Sequence, residues 1–293
     1  MELLRTAPNP WGQEVLVGIG WDVVWIAVWA SVAFVVLHTV FMLVRRSRDE
    51  APPPSPAPAG LPERVQRHSG ASRAFHWLMS VAMFGLLVTA FVPVLGLRFP
   101  WVELHWIAGL LLVAAIVYHV IHALGWQDFW SMWMKPSEMG EGLKELKHAL
   151  GAGSGAPPKS GKYPFDHKLY HNVIVVVTVA AMATGVLMMV RIDTPLWTRN
   201  PYLLSDHVWG VVYVLHGLAG VALIGLVTAH VYFALRPEKR WITWSMVRGW
   251  ITRERYLAYF DPARWRVGEE EPSEPLMGGA VADAAAHARR DDA

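Results

Sequence analysis

Two histidines, His216 and His230, stand 14 residues apart in the apolar run VLHGLAGVALIGLVTAHVYFAL, and His105 and His119 repeat that spacing in LHWIAGLLLVAAIVYHVIHAL. At 100° per residue, 14 steps return to within roughly 40° of the starting direction and advance roughly 21 Å along an α-helix. Both members of a pair therefore face one way, at a separation that suits two stacked cofactors. Neutral imidazole is a common axial ligand of haem iron, and ionisable side chains inside a membrane are read first as functional. The spacing points to two haems held along the same helices.

The absence of cysteine narrows the chemistry. A c-type haem needs thioether attachment through CxxCH, and iron–sulfur clusters need thiolates, so any haem here is non-covalent and b-type. An iron–sulfur relay would belong to another chain. No P-loop or dinucleotide fingerprint stands between a strand and a helix, which argues against a nucleotide-driven pump or a direct NAD site. The net charge of +2 gives no reason to expect nucleic acid.

The elements that must position these histidines are membrane helices. With 54% apolar residues and 16 Trp, the chain contains five long apolar stretches: Gly18–Val44, Ala74–Leu95, Glu103–Leu124, Leu169–Val190 and His207–Leu235. Each is long enough to cross a hydrocarbon core about 30 Å thick. Open sheet edges would leave backbone groups unpaired in lipid, so the expected fold is all-α, a polytopic membrane protein. Four helices are the minimum that enclose stacked haems, and the first span is then an extra N-terminal transmembrane helix. Its apolar run is too long for a signal core, and its Arg45-Arg46 pair follows rather than precedes it, so it reads as an uncleaved anchor. His38 within it has no partner at helical spacing and reads as a packed or interfacial histidine.

The expected organisation is an anchor helix over 1–48, a Pro-rich linker over 49–63 (DEAPPPSPAPAGLPE), the four-helix unit over 64–240, an interfacial segment over 241–266 and a disordered tail over 267–293. Residues 126–150, with Trp126, Trp130, Trp133 and the lysines of GLKELKHAL, read as a second interfacial stretch that GAGSGAPPKSG breaks. Basic residues give the orientation. Segment 45–73 carries six Arg, segment 125–168 carries six Lys, and the chain from Arg236 onward carries ten basic residues. The opposite sides carry only Arg5, Arg98, Arg191 and Arg199. The positive-inside rule then puts the N-terminus outside and the C-terminus in the cytoplasm of a bacterial inner membrane.

That topology assigns depth to each histidine. His105 and His216 fall in the outer half and form one ligand pair. His230 falls near the inner end of the last span, level with both His119 and His76. The repeated 14-residue spacing favours His119 as its partner.

Further motifs bear on this choice. RAFHW at 73–77, LHWIAG at 104–109, GKYPFDHK at 161–168, the ATGV at 183–186, VLHGLAG at 214–220, TAHVYFAL at 228–235 and the pattern SMVRGWITRERYLAYFDPARW occur in order. Over residues 64–266 the chain resembles the gamma, or cytochrome b, subunit of membrane-bound formate dehydrogenases. The resemblance implies two haem b groups, one held by His105 and His216 and the inner one by His76 and His230, with His119 a surplus histidine beside it. It also implies partners: an iron–sulfur, ferredoxin-like beta subunit and a molybdopterin catalytic alpha subunit. Electrons would pass from that partner to quinone near the cytoplasmic face, and substrate oxidation would take place on the other subunit.

The quinone would lie near the start of the fourth span, where Tyr163, Asp166, His167, Lys168 and His171 concentrate hydrogen-bonding and proton-relaying groups. Charged residues at such a helix start also anchor a span. Two departures from the family stand out. Pro164 occupies the place of an Asn associated with quinone binding, and the first span with its linker is absent from the simplest four-span members. The same bundle would also serve a hydrogenase, or a thiosulfate or other molybdenum oxidoreductase. A histidine-lined transporter is a different class of function, but it requires mid-membrane acids that the spans lack: Asp22 and Glu103 lie near span ends.

Overall fold

The computed structural model describes residues 1–45, 53–149 and 159–267. The start of the Pro-rich linker, most of the glycine-rich break after residue 149 and the tail expected over 267–293, apart from Val267, lie outside the described residues. Among the described residues, five helices are long and apolar enough to cross a membrane. They are α1 (Trp21–Arg45), α2 (Gly70–Phe91), α3 (Trp101–Trp126), α5 (Phe165–Met189) and α6 (Asp206–Leu235). Shorter helices are α4 (Met139–Ala149), α7 (Arg240–Arg248) and α8 (Arg253–Tyr259). Apolar periodicity predicts helices alone, yet two small antiparallel sheets are present: β1 (Leu4–Pro8) with β2 (Glu14–Ile19), and β3 (Arg64–Gln66) with β4 (Trp250–Thr252).

The chain divides into two compact units. The first contains Met1–Asp49, Trp77–Val113 and Val173–Arg240. In it the β1–β2 hairpin turns on Asn9, whose Oδ1 accepts from the N–H groups of Trp11 and Gln13 at 3.0 and 2.9 Å. Strand β2 lies directly on α6, and two glycines allow this. A Cβ at Gly210 would stand 2.8 Å from Leu16 Cβ, and one at Gly217 would stand 2.9 Å from Ile19 Cγ1. Helix α1 also packs on α6, where His38 Nδ1 lies 2.9 Å from the Tyr232 hydroxyl and 3.1 Å from Arg236 Nη1. An arginine N–H only donates, so this nitrogen of His38 is an acceptor. His38 is thus a packed histidine, engaged by two side chains. Trp25, Trp29 and Leu37 on α1 are exposed, which water would penalise and a lipid surface accepts.

The second unit contains Glu50–His76, Ala114–Asn172 and Trp241–Ala293. Here Val65 of β3 pairs with Ile251 of β4, and both join Leu61, Tyr256, Leu257, Phe260 and Trp265 in a buried core. Each such apolar side chain contributes about 1.5–3 kcal/mol on burial, so the segment after α6 is more than a strip of surface aromatics. The Tyr256 hydroxyl donates to the carbonyl of Trp265. The described end of the Pro-rich linker is tied to this core: Lys159 Nζ donates to the carbonyls of Pro53 and Leu257 at 2.6 and 2.7 Å.

Candidate functional site

Within the first unit, His105 near the start of α3 and His216 about a third of the way along α6 face each other. Their ring centroids are 6.2 Å apart and their planes are 78° from parallel. Each ring has its Nδ1 occupied. His105 Nδ1 lies 2.8 Å from the hydroxyl of Thr89 on α2, and His216 Nδ1 lies 3.0 Å from the hydroxyl of Thr184 on α5 and 3.1 Å from the carbonyl of Ala181. A Cβ on Gly185, beside Thr184, would come within 3.1 Å of His216 Cε1, so the glycine makes room for the imidazole.

This geometry suits an iron between the two rings. The two imidazoles would hold one haem iron between them, and the haem would supply one-electron redox chemistry. Ligating histidines also direct the other ring nitrogen to a protein oxygen, as both do here. Thr89 and Thr184 touch the two rings, contacts that histidine spacing does not reveal, although Thr184 and Gly185 fall inside the ATGV motif.

The remaining histidines have distinct surroundings. His230 belongs to the first unit, on α6, and His76 to the second, in the second turn of α2. His119, also in the second unit, stacks on Phe75. His122 stacks between Tyr118 and Trp126, its neighbours one turn away on α3.

The polar cluster around α5 divides. Lys168 is committed to Glu138, with Nζ 2.6 Å from Oε1. Burial works to raise the Glu138 carboxyl, but hydrogen bonds from Lys168 and from the Lys135 backbone hold it below its ordinary value. Tyr163 and Lys168 line a cleft with Glu141, Ser160 and Arg264 whose volume, about 20 Å³, is enough for a water molecule. The Asp166 carboxylate accepts from the His167 backbone N–H at 2.9 Å. His171 meets Trp133 edge-on at 5.8 Å, and its Nδ1 is buried without a hydrogen-bond partner among the described residues. Pro164 stands immediately before α5, where a missing N–H costs no helical bond, and its carbonyl accepts from Lys168 N.

Two residues beside this cluster carry no sequence signal of their own. Arg67 is 3% exposed, with its guanidinium 5.2 Å from the centre of the Phe260 ring. Burial lowers it to about 10, against the opposing pull of Tyr163 and Asp166. His68 is brought down to about 3 by burial first and then by Arg67, Lys162, His76 and His167, so it is neutral at physiological pH.

Residues 67–249, more than half of the chain, match the family model described as prokaryotic cytochrome b561. No curated protein matches the chain.

Proposed function

The chain belongs to the prokaryotic cytochrome b561 family, membrane electron carriers whose cofactor is haem b, and we propose that it links an iron–sulfur partner to quinone through two b haems. The observation that carries this reading is the His105–His216 pair, whose ring separation and occupied Nδ1 atoms suit bis-imidazole ligation. The second ligand pair, His76 and His230, rests on the motif resemblance and on the 14-residue step along α6. The bound haems supply one-electron redox chemistry.

The residues of the chain supply the rest. The distribution of Lys and Arg supports an N-terminus outside and a C-terminus in the cytoplasm of a bacterial inner membrane. His105 and His216 then lie on the side facing the electron donor. Tyr163, Asp166, His167, Lys168 and His171 lie toward the cytoplasm, where a reduced quinone takes up protons. The side chain of Pro164 has no hydrogen to donate, so quinone binding there falls to its neighbours. The formate dehydrogenase motifs favour a ferredoxin-like beta subunit and a molybdopterin alpha subunit as partners, and the same bundle fits a hydrogenase or another molybdenum oxidoreductase.

Pyridine haemochrome analysis of the purified chain tests the reading. Two haem b per polypeptide, falling to one in His105→Ala or His216→Ala, is the expected result. No haem, even after co-expression with the neighbouring subunits, overturns it and favours a histidine-lined transporter. Affinity purification from native membranes identifies the donor, and a molybdopterin subunit supports the formate reading over the hydrogenase one.

A further inference from the structure

We propose that Thr89 and Thr184 are positioning residues that hold His105 and His216 in the haem-binding tautomer, with the proton on Nδ1 and the lone pair on Nε2. The inference rests on the ligand assignment above.

Thr89 Oγ1 lies 2.7 Å from the carbonyl of Gly85, and Thr184 Oγ1 lies 2.6 Å from the carbonyl of Ala180, each one turn back along its own helix. A carbonyl only accepts, so each threonine has committed its single proton to its own backbone. What the hydroxyl then offers a neighbour is a lone pair. The Nδ1 atoms at 2.8 and 3.0 Å make those contacts by donating, which places the proton on Nδ1 in both rings. His216 supplies a second argument that does not involve the hydroxyl: its Nδ1 is also 3.1 Å from the carbonyl of Ala181. That contact is a hydrogen bond only when Nδ1 carries hydrogen.

The arrangement occurs twice with the same parts. In each case a threonine bonds back to its own helix and receives a histidine from another, α2 serving α3 and α5 serving α6. Thr89 is itself 4% exposed, so water would not readily replace a deleted hydroxyl. The acceptor is a neutral hydroxyl rather than a carboxylate, so each imidazole stays neutral while its basicity rises modestly. A more basic ligand favours ferric over ferrous iron. The threonines therefore lower the reduction potential of the haem they serve and fix the ring planes around it.

Thr89→Val and Thr184→Val keep the branched shape and remove the hydroxyl, and Thr→Ser at either site restores it. The measurement is spectroelectrochemical titration of the full-length, haem-loaded protein in detergent, with low-temperature EPR of the ferric form. The expected result is an upward shift of one haem potential, about 59 mV for each tenfold selective loss of ferric affinity. The EPR signal of that haem changes, the second haem is unmoved, and serine returns both readouts toward the parent. Unchanged potentials and spectra in the valine variants overturn the inference. So does a serine variant that behaves like valine, which would make the role one of packing. If His105→Ala retains both haems, the ligand assignment itself fails. If it loses one haem while the threonine variants are silent, only the inference fails.

Discussion

The imidazole of His119 stacks on the phenyl ring of Phe75, with centroids 4.1 Å apart and planes 11° from parallel. Phe75 immediately precedes His76, so the stack engages the surplus histidine beside a proposed ligand. His119→Ala is therefore expected to retain two haem b per chain with a small shift in the reduced spectrum, whereas His76→Ala retains one. Haem counting in both variants checks this, and loss of a haem from His119→Ala alone would move the ligand assignment to His119.

The 78° angle between the His105 and His216 rings has a spectroscopic consequence. Crossed imidazole planes leave the two iron d orbitals that overlap with them close in energy. The corresponding ferric haem is expected to give a strongly anisotropic low-spin EPR signal, which His216→Ala abolishes. A rhombic signal typical of parallel imidazoles would contradict the observed ring geometry.

Lys168 and Glu138 form a largely buried ion pair, with side chains 12% and 19% exposed. Lys168→Met strands the Glu138 carboxylate and is expected to cost about 1–3 kcal/mol, read from thermal unfolding in detergent. The Glu138 carboxyl is held below the ordinary 4.5, so its contribution is present above that pH and disappears as pH falls through the lower folded-state value. The parent and Lys168→Met unfolding curves should accordingly converge in strong acid. A constant difference from neutral to strongly acid pH would contradict the role given to the pair.

Gly217 is one of the two glycines that let β2 lie on α6, a Cβ there meeting Ile19 at 2.9 Å. Gly217→Val is expected to displace the hairpin at a cost of about 1–3 kcal/mol. Limited proteolysis should then cut the N-terminal segment faster while the haem content is kept. Equal cleavage rates in parent and variant would show that the hairpin tolerates the added bulk.

Much of this protein follows from local composition. Five uninterrupted apolar stretches can satisfy their backbone in lipid only as helices, so their existence and approximate limits are readable without coordinates. Histidine is costly in such a stretch, and its repetition at 14 residues points to haem chemistry before any packing is known, in keeping with the family match. The missing cysteines limit the haem to the b type by the same local logic.

Contacts between distant segments are a different matter, because they depend on which surfaces meet. Thr89 and His105 are 16 residues apart, and Thr184 and His216 are 32 apart, so no periodicity links hydroxyl to imidazole. The short strands β3 and β4 carry too few residues to signal themselves, and they form because Val65 and Ile251 are buried in one core. Helical period and hydropathy thus determine which residues lie in the membrane and which way they face. Tertiary packing alone decides which hydroxyl holds which histidine, because a hydrogen bond forms only where folding brings donor and acceptor within about 3 Å.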